Sequence, residues 1–239
     1  MTGGAQGLGA AIARRLHKGG MRVAIGDLAI AAAQELARSL DPSGDTACAL
    51  ELDVRCKDDF AKALASLAGW NGIDVLVNNA ASSKTTAVMD ISAAEFDDVM
   101  ATNLRGPFFG CQVIGAHLRG KGWGRIINIA SQAGQMGGTV TGAHYAASKA
   151  GLLLLTKFFA REFAGSGVTV NAVAPGPLDL PTVRAAIPPE RLAGLMTMIP
   201  VGHLGAPEDV AAVVALLASN ESDFVTGAAW DINGGTFMR

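Results

Sequence analysis

The sequence predicts an α/β protein built on a doubly wound parallel sheet, and two observations predict it. Short apolar runs bounded by Gly, Asn or Asp alternate with helical segments along the whole chain of 239 residues, as in right-handed βαβ crossovers. The composition is 50% hydrophobic and 17% charged, which suits parallel strands buried on both faces. No linker, repeat or low-complexity tract interrupts this alternation, so we expect one Rossmann-type domain over residues 1–239.

Each expected strand is a short apolar run that stops at a turn-forming residue. The strands are expected at residues 22–26, 46–52, 73–78, 125–130, 168–173 and 228–232. The helices are expected at residues 7–18, 29–40, 57–67, 92–118, 143–163 and 207–219. Ser92 and Glu95 form a capping box at the start of one helix. Parallel sheets bind ligands beyond the carboxyl ends of their strands, so we expect the functional loops after residues 78, 130 and 173.

Charge and cysteine content exclude several classes of function. The net charge is −2, from 19 basic and 21 acidic residues, and no basic stripe predicts a nucleic-acid partner. Cys48, Cys56 and Cys111 form no C-x-x-C pair, which favours a reduced, cytoplasmic setting. The start of the sequence does not have the pattern of a signal peptide, and the most apolar run, residues 151–155, is too short to span a membrane. The four histidines show no metal-ligand spacing, so we expect a soluble protein without a metal site.

A glycine-rich turn at the start of the chain indicates a dinucleotide site. Gly3, Gly7 and Gly9 precede the first helix, where glycines let the backbone approach a pyrophosphate at the helix N-terminus. Alone, such a turn is equally consistent with an ordinary tight turn. Asp27 ends the next strand, where a carboxylate can bind both ribose hydroxyls of NAD and repel the 2′-phosphate of NADP. The sequence therefore predicts NAD(H) in preference to NADP(H), while Asp27 also serves as a cap for the helix that follows it.

Further motifs follow the glycine turn in a fixed order. They are Asp53-Val54, Asn78-Asn79-Ala80, Asn103 within M-A-T-N-L-R-G-P-F, Ser131, Y-x-x-x-K at Tyr145 and Lys149, and Pro175-Gly176. In this set and in its T-G-x-x-x-G-x-G turn the chain resembles the classical short-chain dehydrogenase/reductase family over residues 2–235. The resemblance implies that Asn103, Ser131, Tyr145 and Lys149 are catalytic. It implies cofactor contacts from Gly3, Gln6, Gly7, Leu8, Gly9, Asp27, Asp53, Val54, Asn79, Ala80, Tyr145, Lys149, Pro175, Gly176 and Leu178.

The chemistry expected at Tyr145 depends on its neighbours. Lys149 lies four residues further along one predicted helix and so shares a face with Tyr145. A nearby ammonium, together with the positive nicotinamide of the oxidised cofactor, favours the phenolate and lowers the pKa of the phenol. Ser131 can hydrogen-bond the same substrate oxygen, and the resemblance implies that Asn103 holds a water that relays protons to Lys149. By itself a Tyr–Lys pair is most often a packing pair, and His144 is expected on the rim of the site because it lies on another face of the helix.

The chain departs from the family pattern at several positions. The strand that normally precedes the glycine turn is absent because Met1 stands directly before Thr2. We therefore expect a sheet with a central gap. A gene model whose start is assigned at a GTG valine codon would produce such a truncation. Ala81 replaces a glycine, and 14 positions separate Ser131 from Tyr145, one more than the family spacing. Leu180 stands where a threonine commonly binds the cofactor carboxamide, a role that Thr182 could take.

These features predict an NAD(P)(H)-dependent oxidoreductase that interconverts a secondary alcohol and a ketone. One alternative is a 3-oxoacyl-[acyl-carrier-protein] reductase, which the segment I-P-V-G-H-L-G-A-P-E-D-V resembles. An alternative of another class is a non-catalytic dinucleotide sensor or scaffold. The loop at residues 178–198, with Ile187, Leu195, Met196 and Met198, is read as an apolar lid over a largely apolar substrate, or as a cover for the core or an interface.

The long helices at 92–118 and 143–163 resemble those that pair in family homotetramers, so we expect a homo-oligomer, tetramer or dimer.

Overall fold

The computed structural model describes residues 1–138, 141–186 and 189–238, without the side chains of 182, 186, 189–191 and 193. Within these residues the strands are β1 (Val23–Asp27), β2 (Ala47–Glu51), β3 (Val75–Asn78), β4 (Gly124–Ile129), β5 (Val168–Pro175) and β6 (Ala229–Ile232). All six expected strands are present. The pairing is parallel throughout, in the order β2-β1 and β3-β4-β5-β6. The expected α/β fold with parallel strands is confirmed.

Two residues join the two groups of strands. The N–H of Gly26 in β1 donates to the carbonyl of Met1 at 2.8 Å, and the N–H of Thr2 donates to the carbonyl of Val77 in β3 at 3.0 Å. Met1 and Thr2 thus stand where a central strand would run, but they cover only its last two positions. The expected gap in the sheet is present between the N-terminal halves of β1 and β3.

Helices cover both faces of the sheet. They are α1 (Gly7–Lys18), α2 (Ile30–Leu40), α3 (Lys57–Ser66), α4 (Ala93–Met100), α5 (Gly106–Lys121), α6 (Ala133–Met136), α7 (Ala143–Glu162), α8 (Pro181–Ala186), α9 (Pro189–Thr197) and α10 (Pro207–Leu217). The sequence did not predict α6, α8 and α9. No helix in the described part of the chain is long and apolar enough to cross a membrane.

The single helix expected at residues 92–118 is wrong. The side chain of Ser92 accepts a hydrogen bond from the N–H of Glu95 and caps α4, whereas the Glu95 carboxylate, the other half of the predicted capping box, contacts His144 instead. A π-helical turn, Ala101–Arg105, separates α4 from α5. Such wide turns inside helices occur mostly at functional sites. Here the turn carries Asn103, whose residue exposure is 0%.

The sheet has an apolar core on each face. On one side α1 and α2 pack against β1, and α10 packs against α1 and β5, through residues such as Ile12, Leu36 and Val214. On the other side α3 and α5 contribute Phe60 and Ile114 to a second core. Every residue of β4 and β5 is buried. With both faces covered, the loops at the carboxyl ends of the strands form the edge where a ligand can bind.

Candidate active site

The glycine turn closes tightly on the loop after β3. Gly3 has a φ of +60°, and a Cβ there would lie 2.6 Å from the Cα of Ala80. A Cβ on Gly9 would lie 2.1 Å from the carbonyl oxygen of Gly3. Side chains larger than hydrogen are therefore excluded at both positions. The glycine turn leads into α1, and the first helical turn of α1 carries no acidic residue. The N-terminus of this helix is therefore compatible with a bound pyrophosphate.

Thr2 fastens this turn to the N-N-A loop. Its hydroxyl accepts hydrogen bonds from the N–H groups of Asn79 at 3.0 Å and Ala80 at 3.1 Å. The side-chain amide of Asn79 donates in return to the carbonyls of Thr2 at 3.1 Å and Gly3 at 2.8 Å. The sequence did not predict this structural role of Thr2, although Thr2 is the first residue of the T-G-x-x-x-G-x-G motif.

Asp27 lies at the end of β1, next to the glycine turn. One carboxylate oxygen accepts the N–H of Ala5 and the other accepts the N–H of Ala29, both at 3.0 Å. A carboxylate oxygen has more than one acceptor site, so both oxygens can still bind hydroxyl groups. Asp27 does not cap the following helix as expected, because the N-cap of α2 is Ala29 and no side chain in the described part of the chain bonds its first turn. The bond to Ala29 closes the turn before the helix, and the bond to Ala5 holds the glycine turn against the strand.

The side chains of Asp53 and Val54 face in different directions. The Asp53 carboxylate forms an ion pair with Arg55 at 2.8 Å, and the hydrogen bonds from Arg55 lower the pKa of that carboxyl. Val54 is buried beneath α5, where a Cβ on Gly106 would lie 2.9 Å from the Val54 Cβ. The Val54 side chain is therefore part of the core, whereas the Asp53 side chain keeps partial solvent access.

The structure brings Ser131, Tyr145 and Lys149 together. Ser131 follows β4, and its side chain lies near enough to the Tyr145 hydroxyl to lower the pKa of the phenol. The Nζ of Lys149 lies 5.7 Å from the centre of the Tyr145 ring and donates a 2.7 Å hydrogen bond to the carbonyl of Ile129. Tyr145 keeps partial solvent access, whereas Lys149 is buried. The hydroxyl pair therefore faces the open edge with the ammonium behind it.

Burial dominates the protonation of both titratable groups in this cluster. It raises the pKa of Tyr145, and the nearby Ser131 side chain offsets this only in part. Burial also lowers the pKa of Lys149 to about 8. In the protein alone burial therefore outweighs the lowering of the phenol pKa that the sequence predicts.

Asn103 connects the loop after β3 to α7. Its Oδ1 accepts the N–H of Ser82 at 2.7 Å, and its Nδ2 donates to the carbonyl of Ser82 at 2.9 Å and to the hydroxyl of Ser148 at 3.1 Å. Asn103 thus contacts α7 one residue before Lys149. The water relay inferred from the resemblance stays a prediction.

His144 is not on the rim. Its side chain has 0% exposure, and its Nε2 lies 2.9 Å from the Oε1 of Glu95 in α4. Within the described residues its Nδ1 has no hydrogen-bond partner. The expectation from the sequence is wrong because the helix face that turns away from Tyr145 packs against α4.

The loop after β5 lies against the turn that follows Ser131. The N–H of Gly176 donates to the carbonyl of Ile232 at 2.9 Å, and the carbonyl of Pro175 accepts the N–H of Gln132 at 3.0 Å. A Cβ on Gly176 would lie 2.8 Å from the Cα of Asn233. This close packing makes glycine necessary and fixes the loop beside the Tyr145 cluster.

The next residues of this loop extend over the glycine turn. Leu178 is buried and pairs with Gly205 through an isolated bridge. The side chain of Leu180 comes within 3.9 Å of the place where a Cβ on Gly7 would stand. The side chain of Thr182, named as a substitute partner for the cofactor carboxamide, lies outside the described side chains.

Much of the expected lid packs on itself. Leu192, Ile199 and Leu204 form a small buried cluster, against which Leu195 and Met196 pack. Met198 is 63% exposed, and Ile187 lies outside the described residues. Leu195 and Met196 thus act at least as cover for this cluster. Within the described residues no group of three or more His, Cys, Asp or Glu side chains could hold a metal ion.

Several known proteins are similar to this chain in sequence. A family model described as enoyl-(acyl carrier protein) reductase matches residues 3–236. The chain is 36% identical to 3-oxoacyl-[acyl-carrier-protein] reductase FabG of Vibrio cholerae, over 100% of this chain and 96% of the relative. It is 39% identical to 3beta-hydroxysteroid dehydrogenase 1 of Eggerthella lenta, over 98% and 91%, and 37% identical to acetoacetyl-CoA reductase of Rhizobium meliloti, over 100% and 97%.

The same architecture is found in a solved structure. A crystal structure of a protein assigned as a gluconate dehydrogenase from Agrobacterium tumefaciens superimposes with a TM-score of 0.93 at 27% identity. The match covers 98% of this chain and 93% of that protein. The likeness therefore extends over nearly the whole of both chains.

Proposed function

The chain belongs to the short-chain dehydrogenase/reductase family and is an NAD(P)(H)-dependent oxidoreductase of alcohol and keto groups, and from this premise we propose that Tyr145 is its general acid and base. The observation that carries the proposal is the position of the Lys149 Nζ, 5.7 Å from the centre of the Tyr145 ring, with the Ser131 side chain near the Tyr145 hydroxyl. A substrate oxygen placed between the two hydroxyls would be hydrogen-bonded by both. Tyr145 then gives a proton to a developing alkoxide or takes one from an alcohol.

The other residues of the cluster have supporting roles. When bound, the nicotinamide supplies or accepts the hydride. Ser131 orients the substrate oxygen, and Lys149 places positive charge behind the Tyr145 ring. We assign Asn103 to the proton path as well, since it contacts α7 at Ser148, the residue before Lys149.

The cofactor proposal rests on the fit of the glycine turn. Gly3 and Gly9 let the backbone of the turn pack closely on itself and on the loop after β3, at the N-terminus of a helix where a pyrophosphate binds in such folds. The proposed cofactor contacts are Gly3, Gln6, Gly7, Leu8, Gly9, Asp27, Asp53, Val54, Asn79, Ala80, Tyr145, Lys149, Pro175, Gly176 and Leu178. Asp27 supports NAD(H) over NADP(H), because its two oxygens are held at the mouth of the turn, where they attract ribose hydroxyls and repel a phosphate.

The substrate is proposed to be a largely apolar secondary alcohol or its ketone. Leu178, Leu195 and Met196 supply apolar surface near the loop after β5. A 3-oxoacyl-[acyl-carrier-protein] reductase is a second candidate, which the Vibrio cholerae relative favours. Relatives with different substrates are about equally similar to this chain, so a substrate panel has to decide between them.

The decisive experiment compares the chain with Tyr145→Phe. We expect both proteins to bind NADH more tightly than NADPH by calorimetry, and the unchanged chain to reduce members of a panel of ketosteroids, acetoacetyl-CoA and 3-oxoacyl thioesters. Tyr145→Phe should lose turnover by roughly a thousandfold or more while its NADH affinity stays within a fewfold. Retained turnover would refute Tyr145 as the proton donor, tighter NADPH binding would refute the cofactor choice, and binding without any turnover would favour a non-catalytic sensor.

We also propose that the protein is a homo-oligomer, tetramer or dimer. On α7, Leu154 and Phe158 are 55% and 58% exposed, and Phe108 of α5 lies close by, with its ring centre 5.7 Å from that of Phe159. Light scattering coupled to size-exclusion chromatography checks the proposal; a monomer at micromolar concentration would contradict it.

Free Cys48, Cys56 and Cys111 support a reducing, cytoplasmic location.

A further inference from the structure

Gln132, the residue directly after Ser131, lies where three segments of the site meet. Its N–H donates to the carbonyl of Pro175 at 3.0 Å, and its carbonyl accepts the N–H groups of Gln135 at 2.9 Å and Met136 at 3.1 Å. The backbone of Gln132 is thus bound on one side to the loop after β5 and on the other side to α6. The third segment reaches Gln132 through its side chain.

The Ser131 hydroxyl depends on the shape of the turn that Gln132 makes. The Oγ of Ser131 accepts the N–H of Ala133 at 3.1 Å, and the carbonyl of Ser131 accepts the N–H of Gly134 at 3.1 Å. Both bonds span Gln132. A rotation of the Gln132 backbone would therefore move the Ser131 Oγ relative to Tyr145.

The side chain of Gln132 is bound by a residue 104 positions further along the chain. Its Oε1 accepts a hydrogen bond from the hydroxyl of Thr236 and lies 3.0 Å from the place where a Cβ on Gly176 would stand. The Thr236 hydroxyl also lies 2.9 Å from the carbonyl of Asn233, so its single proton is shared between two acceptors. The Gln132 oxygen is thus enclosed between Thr236 and the loop after β5.

Thr236 belongs to a loop that has hydrogen bonds of its own. This loop, residues 233–237, follows β6. The side chain of Asn233, a buried residue, donates to the carbonyl of Phe237 at 2.9 Å and accepts the N–H of Gly235 at 2.9 Å. These bonds close the loop on itself, so it holds Thr236 in place independently of Gln132.

The same loop packs against the cluster formed by Leu192, Ile199 and Leu204. The N–H of Val201 donates to the carbonyl of Gly234 at 3.2 Å, and a Cβ on Gly234 would lie 2.7 Å from the Cγ2 of Ile199. Leu192 belongs to the segment that the sequence predicts as a lid. Contacts therefore lead from the lid segment, through the loop after β6, to the turn after β4.

We propose that Gln132 is a positioning residue: the bond from the Thr236 hydroxyl to its Oε1 holds the turn after β4 against the loop after β6 and thereby aims the Ser131 hydroxyl at the substrate oxygen. This inference rests on the roles proposed for Ser131 and Tyr145. Gln132 acts without touching the substrate, since its oxygen is bonded to Thr236. The glycine turn proposed for the pyrophosphate shares none of these contacts, so loss of the bond lowers the rate of reduction and spares cofactor affinity.

The test compares two replacements of Thr236 that differ in the hydroxyl. Thr236→Val keeps the shape of the side chain and removes the donor, whereas Thr236→Ser keeps the donor. On the ketone of the panel that the unchanged chain reduces fastest, we expect Thr236→Val to lower kcat by about tenfold while NADH affinity, measured by calorimetry, stays within a fewfold. Thr236→Ser should recover most of the loss. An unchanged kcat in Thr236→Val, or an equal loss in both variants, would overturn the proposal.

A double-variant cycle separates positioning from a general loss of stability. Gln132→Met removes the acceptor oxygen at similar side-chain length, and Gln34→Met makes the same replacement on the exposed face of α2. We expect Gln132→Met to lower kcat about as much as Thr236→Val and the combined variant to lower it no further, because both remove one bond. Gln34→Met should leave kcat unchanged. Losses that multiply in the combined variant would show that the two residues act separately and would refute the proposal.

Hydrogen exchange gives a readout that does not require turnover. The amide of Gln132 bonds the Pro175 carbonyl, and the amide of Gly176 bonds the Ile232 carbonyl. Thr236→Val should speed exchange at these two amides by about fivefold or more, whereas the amides of α2 should keep their rates. Unchanged exchange at Gln132 would overturn the proposal. A protein that shows the faster exchange but reduces no ketone would support the link between the two loops and contradict the role proposed for Tyr145.

Discussion

The Oε1 of Glu95 lies 2.9 Å from the Nε2 of His144, and this contact fixes the residue directly before Tyr145. His144 is fully buried, whereas Glu95 belongs to α4, outside the Tyr145 cluster. The pair joins α4 to the first turn of α7. It therefore helps to determine where the Tyr145 hydroxyl stands relative to Ser131.

Replacing Glu95 should weaken both folding and turnover. Glu95→Ala leaves the buried His144 ring without its partner, which costs about 1–3 kcal/mol of unfolding free energy. We expect kcat to fall severalfold with NADH affinity nearly unchanged, since the cofactor cradle lies elsewhere. Glu95→Gln keeps an acceptor oxygen and should recover most of both losses. If Glu95→Gln and Glu95→Ala behave alike in chemical denaturation and kinetics, the contact does not position Tyr145.

Lys149 should make stability rise with pH above about 8. Below the folded-state pKa of about 8, the lysine is charged in both the folded and the unfolded chain, and the full cost of burying the charge is present. As the pH rises further, the folded chain releases this proton, whereas the unfolded chain keeps it until near 10.5. Stability therefore increases in this window.

Lys149→Met isolates that contribution. Between about pH 7 and pH 9.5, the unfolding free energy of the unchanged chain should rise by about 2 kcal/mol relative to Lys149→Met. Lys157→Met, which removes an exposed lysine of α7, should run parallel to the unchanged chain. Denaturant titrations at the two pH values give the numbers, and a constant difference between the unchanged chain and Lys149→Met would contradict the lowered pKa.

Asp27→Asn should change cofactor preference and loosen the glycine turn together. Removing the negative charge should shift the ratio of NADPH to NADH affinity toward NADPH by about tenfold or more. The amide nitrogen cannot accept an N–H, so one of the bonds to Ala5 and Ala29 is lost, at about 1 kcal/mol. Glu35→Gln, on the exposed face of α2, serves as the matched removal of charge. An unchanged affinity ratio would disprove the proposed role of Asp27.

Gly9→Ala should abolish cofactor binding. The added methyl group would stand 2.1 Å from the Gly3 carbonyl and 2.8 Å from the Asn79 Nδ2, so the turn has to open, at about 1–3 kcal/mol. Gly69→Ala adds the same methyl group where nothing lies within 4 Å and should be neutral. Thermal unfolding should show the loss of stability, and calorimetric titration with NADH should show the loss of binding. Equal NADH affinity in Gly9→Ala and Gly69→Ala would contradict the role of the turn in holding the cofactor.

The strands and most helices could be predicted because their boundaries coincide with local signals. The expected helix at 7–18 and α1 have the same bounds, since glycines precede it and Gly19 and Gly20 follow it. The π-helical turn at Ala101–Arg105 could not be predicted, because its residues fit an ordinary helix and only the packing against α7 distinguishes them. The same limit applies to His144: spacing assigns it a helix face, but not what covers that face.

The site was predictable in outline and not in its connections. The order of the motifs identified Ser131, Tyr145 and Lys149 as neighbours, which they are. Two hydrogen bonds of the site join residues far apart in the chain. The Thr2 hydroxyl accepts the N–H of Asn79, and the Asp27 carboxylate accepts the N–H of Ala5. Such bonds arise only after the strands are in register, so single-sequence patterns do not contain them.

The wide turn that carries Asn103 also bears on how this chain can evolve. A π-helical turn is, in effect, a regular helix with one residue too many, and it exchanges well-aligned backbone bonds for an altered direction of the side chains around it. Deleting one residue from Ala101–Arg105 would let α4 and α5 merge into one straight helix, but would also move Asn103 away from Ser82 and Ser148. A change that improves the helix would thus damage the site, which puts selection for robustness and selection for activity in opposition at this turn.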